Sequence, residues 1–85
     1  MNVAIELDLH ALTIDEAMPL LDQYLNAAYM AGHNQVCIIH GKGTGILRQA
    51  VRRELKKHPL VRSFRVGGHR EGQTGVTIVE LAGMD

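Results

Sequence analysis

Val3, Ile5, Leu7 and Leu9 alternate with Ala4, Glu6, Asp8 and His10. A period of two predicts a first strand over 3–9 with one apolar and one polar face. A strand covered on one side only fits a two-layer domain better than a sheet sandwiched between helices. Thr13, followed three residues later by Glu16, is a capping-box pattern. Asp15 and Glu16 suit the positive end of the helix dipole. Ile14, Ala17, Leu21, Leu25 and Ala28 then recur at helical spacing, and Gly32 is a natural stop. Pro19 removes one backbone donor near the start of this helix, but the period continues past it.

Val36 to His40 is short and nearly all apolar, as a central strand should be. Gly41-Lys42-Gly43-Thr44-Gly45 reads as a tight loop. A second helix is expected from about Thr44 to Lys57, with Leu47, Ala50, Val51 and Leu55 on its buried face and Pro59 helping to end it. Arg62 to Val66 reads as a third strand with Phe64 and Val66 inward. Gly67 to Gly75 is a polar connection carrying Gly67, Gly68, Gly72 and Gly75, and Val76 to Leu81 is a fourth strand. The order is β-α-β-α-β-β, an α/β two-layer domain expected to occupy residues 3–82 as one unit, with Cys37, Met18 and Met30 read as packing residues.

Charge changes the picture. The 9 basic and 9 acidic residues of the 85-residue chain cancel, but they are segregated. Residues 1–35 hold five acids and no Lys or Arg; residues 36–70 hold all nine Lys and Arg with one acid, Glu54, for a net +8. Glu71, Glu80 and Asp85 make the last segment acidic. Such asymmetry points to an anionic partner. No apolar run is long enough for a membrane helix and no secretion signal opens the chain. The single Cys37 cannot form an internal disulfide and suits a reducing compartment, so a cytoplasmic location is expected. Tyr24, Tyr29 and Phe64 are the only aromatic residues, too scattered for a base-stacking platform.

The first strand, first helix and second strand form a crossover unit, which is right-handed and leaves the strands parallel. Their C-terminal ends therefore share one rim, where ligands of open α/β sheets bind. Asp8 and His10 end the first strand there; His40 and the glycine loop end the second. The glycines let the backbone turn tightly and approach a ligand, and the loop opens into a helix whose free N–H groups favour an anion. Lys42 adds a charge. The spacing is neither a Walker A loop nor a dinucleotide fingerprint, so a phosphate within a polymer fits better than a nucleotide cofactor. Gly41, Lys42, Gly43, Thr44 and Gly45 are therefore candidate nucleic-acid ligands. Arg48, Arg52 and Lys56, spaced i, i+4, i+8, could track a phosphate backbone.

Asp8, His10 and His40 form a candidate acid/base group, since histidine gives and takes protons near neutral pH. Asp8 would orient His10 or hold a divalent metal such as Mg or Mn. His33, His58 and His69 carry no assigned role, and their spacing does not suggest zinc.

Leu7-Asp8-Leu9-His10, a capped helix, and Ile39-His40-Gly41-Lys42-Gly43-Thr44-Gly45 together resemble the Smr (small MutS-related) domain. The closing stretch from His58 to Leu81 looks like the form at the C-terminus of the second bacterial MutS paralogue. The resemblance implies the fold of the C-terminal domain of translation initiation factor three, two layers with a mixed four-stranded sheet. It implies nucleic-acid binding and endonuclease activity carried by Asp8, His10, His40, Gly41 and Gly43. It also implies a larger, ATPase-containing chain. The family usually has Gly after its first motif; here Ala11 follows, so a glycine-only backbone angle is expected to be lost beside His10.

Two functions follow. The first is a nicking endonuclease acting on DNA or RNA with little sequence preference. The second is a binding module for structured DNA or for RNA, ribosomal RNA included.

Overall fold

The computed structural model describes residues 3–70 and 73–83. Glu71, Gly72 and Asp85, which enter the charge and glycine readings, lie outside the described residues. The elements are β1 (Glu6–Asp8), α1 (Ile14–Met30), β2 (Gln35–Ile39), α2 (Ile46–Lys57), β3 (Val61–Val66), a 3-10 turn (Gln73–Gly75) and β4 (Val76–Leu81). The sheet runs β1-β2-β4-β3, with β1 parallel to β2 and the other neighbours antiparallel. This is the expected two-layer α+β architecture with a mixed four-stranded sheet. Among the described residues no helix is long and apolar enough to cross a membrane.

The capping box at Thr13 is made in full: Thr13 Oγ1 accepts from the Glu16 N–H, and Glu16 accepts from the Thr13 N–H. Such a cap contributes about 1 kcal/mol. Pro19 sits inside α1 without breaking it, on an exposed position. Ala17, Leu21, Leu25 and Ala28 are buried against Val36, Ile38, Val79 and Leu81 of the sheet and Val51 and Leu55 of α2. His58 caps α2; its Nε2–H donates to Asp22 of α1 (2.9 Å) while its Nδ1 accepts from Leu60 N–H. That pair ties the two helices together at one end.

Several expectations shift. The strand expected over 3–9 shortens to Glu6–Asp8, the residues in register with Cys37–Ile39 of β2. Its approach is held instead by side chains: Tyr24 donates to the Ala4 carbonyl, and the His33 ring donates to the Val3 carbonyl. The second helix begins at Ile46 rather than Thr44, since Gly45 takes a left-handed cap. Val66 lies on the helix-facing side by register but is 39% exposed. Met30 is 71% exposed and is not a packing residue, whereas Met18 packs on the core. Cys37 is half-buried on the sheet face opposite the helices, opposite Ile78 of β4.

Ala11 corrects a further expectation. Its φ is +67°, so the left-handed angle is retained without glycine. An alanine held there costs about 1–2 kcal/mol. Glycine would relieve that cost but add unfolded-state entropy. Ala11→Gly is therefore expected to raise stability by up to about 1 kcal/mol, read as a higher urea midpoint at unchanged slope. A lower midpoint would show that the turn is unstrained.

Candidate nucleic-acid interface

The parallel β1–β2 pair brings both strand ends to one rim. Leu9 N–H donates to the Ile39 carbonyl (2.7 Å), carrying the pairing one residue past β1. A Cβ on Gly41 would lie 3.4 Å from the His10 Cβ, so the two motifs meet at the backbone.

Asp8 and His10 form one unit. Asp8 Oδ1 accepts from the His10 backbone N–H (3.0 Å) and from ring Nδ1–H (2.6 Å). A carboxylate only accepts, so Nδ1 carries the proton and the neutral ring keeps Nε2 as a free base. The side-chain and backbone hydrogen bonds from His10 hold the Asp8 carboxyl below its usual range. Both side chains are open to solvent, 64% for His10 and 51% for Asp8.

His40 is placed differently. It is 5% exposed and follows Val36 and Ile38 on the helix-facing side of β2. Its Nδ1 donates to the Gly41 carbonyl (3.0 Å), and its Nε2 accepts from Thr77 Oγ1–H (2.9 Å). Burial pushes its pKa down, and the Arg48 and Arg52 guanidiniums act in the same direction. Among the described residues no hydrogen bond joins His40 to Asp8 or His10.

The loop from Gly41 to Gly45 has positive φ at Gly41, Gly43 and Gly45. The N–H groups of His40 and Gly41 both donate to the Gly75 carbonyl (3.0 Å each), which fixes the loop to the start of β4. Among the described residues the amides of Lys42, Gly43, Thr44 and Gly45 reach no backbone acceptor, and the first intrahelical bond of α2 is Gln49 N–H to Gly45. In the first helical turn Thr44 Oγ1 accepts from the Ile46 N–H (3.4 Å), and the Leu47 and Arg48 amides have no intrahelical acceptor. The loop encloses a cavity of about 170 Å³ with Ala11, Leu12, His40, Leu47 and Arg48. A Cβ on Gly45 would lie 2.9 Å from Arg48 Nη2, so the guanidinium rests on the loop. Arg48 and Arg52 are half-buried beside the rim, Lys56 is exposed, and Arg52 Nε is buried without a partner among the described residues. A larger groove of about 390 Å³ between α1 and α2 presents Arg53, Lys56 and Lys57, with Glu54, but none of the open amides.

At this rim Asp8 is the carboxylate, among the described residues, that would hold a Mg or Mn ion shared with substrate phosphates. Asp8 offers one carboxylate oxygen beyond the one taken by His10, and no group of three or more His, Cys, Asp or Glu that could hold an ion occurs among the described residues.

Two residues of the site had not been singled out, Gly75 and Thr77. Gly75 reads as part of a loop, and only the fold brings it under Lys42. Thr77 carries a signal: it is the one hydroxyl in a strand whose other residues are apolar apart from Glu80, and it is 1% exposed.

The Smr domain profile matches residues 7–82. The chain is 56% identical over 80 residues to "Endonuclease MutS2" of Caldicellulosiruptor saccharolyticus, covering 94% of this chain and 10% of that protein. The Geobacillus kaustophilus protein of the same name is 54% identical over 80 residues, with the same coverage. The chain thus spans about a tenth of the length of the curated relatives it matches. Among solved structures, the Smr domain of Thermus thermophilus MutS2 superposes with a TM-score of 0.89 at 43% identity, covering 93% of this chain and 99% of that one. YdaL, a stand-alone small MutS-related protein from Escherichia coli, gives 0.86 at 26% identity over 91% of this chain and 63% of that one. With both motifs on one rim, this fold and a profile match over nearly its whole length, the chain belongs to the Smr domain family.

Proposed function

We propose that the domain nicks nucleic acid, with DNA as the favoured substrate, gripping the sugar–phosphate backbone with little sequence preference. The observation that carries this reading is the juxtaposition of an open-amide loop with an exposed imidazole whose Nε2 is free. The loop amides and Lys42 would hold one phosphate and oppose the charge that builds on it. Arg48, Arg52 and Lys56 would hold the neighbouring phosphates, and contacts confined to phosphates carry no sequence information. The unpartnered Arg52 Nε is a donor suited to that task. His10, oriented by Asp8, would take a proton from water as its oxygen attacks phosphorus. The new P–O bond forms as the bond to one sugar oxygen breaks, and that oxygen takes a proton from solvent. In RNA the ribose 2′-hydroxyl could replace the water. The name of the relatives, endonuclease, supports this reading, and their length supports a role within a larger chain.

One observation favours a binding-only module for structured DNA or for RNA, ribosomal RNA included. His40 is buried with both ring nitrogens engaged, leaving one exposed imidazole at the rim. Supercoiled plasmid separates the readings. Accumulation of the nicked circle with turnover supports the nuclease. Retardation at low salt without nicking, at high protein, overturns it in favour of the binder, and neither result overturns both.

A further inference from the structure

We infer that His40, together with Thr77, is a positioning residue that aims the Lys42 backbone amide at the bound phosphate, and is not a proton-transfer group. The inference rests on the phosphate-binding role proposed for the loop. It comes from the hydrogen bonds around Gly41, each of which limits the next.

A carbonyl oxygen cannot donate, so the bond between His40 Nδ1 and the Gly41 carbonyl places the proton on Nδ1. A neutral ring has one N–H, so Nε2 is an acceptor and the Thr77 hydroxyl donates to it. Burial disfavours the charged ring. Neither nitrogen is left to exchange a proton with a substrate without breaking one of these bonds. The Gly41–Lys42 peptide is trans, as there are no cis bonds among the described residues. In a trans peptide the C=O and the following N–H point in opposite directions. Pinning the Gly41 carbonyl against His40 therefore turns the Lys42 N–H away from the ring. That amide has no backbone acceptor among the described residues, and Lys42 lines the cavity. Gly75 completes the clamp. Its carbonyl takes the Gly41 N–H, and a Cβ there would lie 3.3 Å from Lys42 Cγ and 3.6 Å from Lys42 N.

Glutamine can imitate the clamp but cannot titrate: its side-chain amide donates to the Gly41 carbonyl and its oxygen accepts from Thr77. His40→Gln is expected to keep plasmid nicking within about threefold of wild type, because a neutral hydrogen bond is replaced rather than removed. Its pH–rate profile should match wild type. His40→Leu should lose roughly tenfold or more, the scale of losing one aimed donor. Thr77→Val should follow His40→Leu, and Thr77→Ser should follow wild type. A Gln variant as inactive as the Leu variant, or one lacking a limb of the pH profile, overturns the inference. If wild type neither binds nor nicks, the nuclease and binder readings fail on their own. The Lys42 amide resonance then decides the positioning role, followed as inorganic phosphate is added. The role stands if that resonance shifts its position or response in His40→Leu but not in His40→Gln. It falls if the resonance is unchanged in His40→Leu.

Discussion

His10→Ala is expected to lower plasmid nicking by about 10²–10⁴-fold, the usual contribution of a positioned proton-transfer group. Binding at low salt should stay near wild type, since the phosphate ligands assigned here lie on the loop and α2. The variant should also fold. His10 is largely in solvent and contacts Asp8 rather than the core, and such surface changes usually stay within about 0.5 kcal/mol. Asp8→Asn should give a smaller loss, because it removes the charge that fixes the ring tautomer but keeps a side chain able to hydrogen-bond. Unchanged nicking in His10→Ala, with an unchanged melting curve, would remove His10 from the reaction and leave the rim as a binding surface.

The second large effect is electrostatic. Lys42, Arg48, Arg52 and Lys56 are four cations placed along one path from the loop to the end of α2. If each neutralises one phosphate, log K against log salt should fall with a slope of about −3 to −4 on duplex DNA. Changing Lys56 to Gln should reduce the slope by about one. Changing Arg48, Arg52 and Lys56 together to Gln should leave a slope near −1 and cost on the order of 10²-fold in low-salt affinity. Glutamine is preferred to alanine because Arg48 and Arg52 are half-buried and their stems pack against the domain. A slope that stays at the wild-type value in the triple variant would place the nucleic acid on another face. The groove between the helices, lined by Arg53, Lys56 and Lys57, would be that face only if Arg53 and Lys57 carry the contact without Lys56.

Much of this was legible because local signals agreed with the fold. Thr13 and Glu16 marked the start of α1, the apolar run from Val36 marked a central strand, and the handedness of the crossover put Asp8 and His40 on one rim. What was not legible depended on contacts distant in sequence. The length of β1 is set by its register with Cys37–Ile39 of β2. Val66 is 39% exposed although strand parity puts it inward with Phe64. Ala11 shows that a missing glycine need not mean a missing angle, since tertiary structure can hold alanine at φ +67°. The burial of His40 lies between these cases. The period of two that puts Asp8 on the outer face also puts His40 with Val36 and Ile38 on the inner one. Strand parity thus contained the distinction between the two histidines, although the motif alone made them look equivalent.

The hold of β4 on the glycine loop has a kinetic consequence. The His40–Thr77 bond spans 37 residues, and the Gly75 carbonyl anchors the same loop from the same strand. Residues 1–45 carry every residue of both motifs, yet they cannot shape the proposed anion cradle by themselves. During synthesis the loop would remain unformed until the final strand leaves the ribosome and docks between β2 and β3. The phosphate engagement proposed for the loop would therefore arrive only with the completion of folding, and a chain clipped before β4 would carry the motifs without the shaped loop.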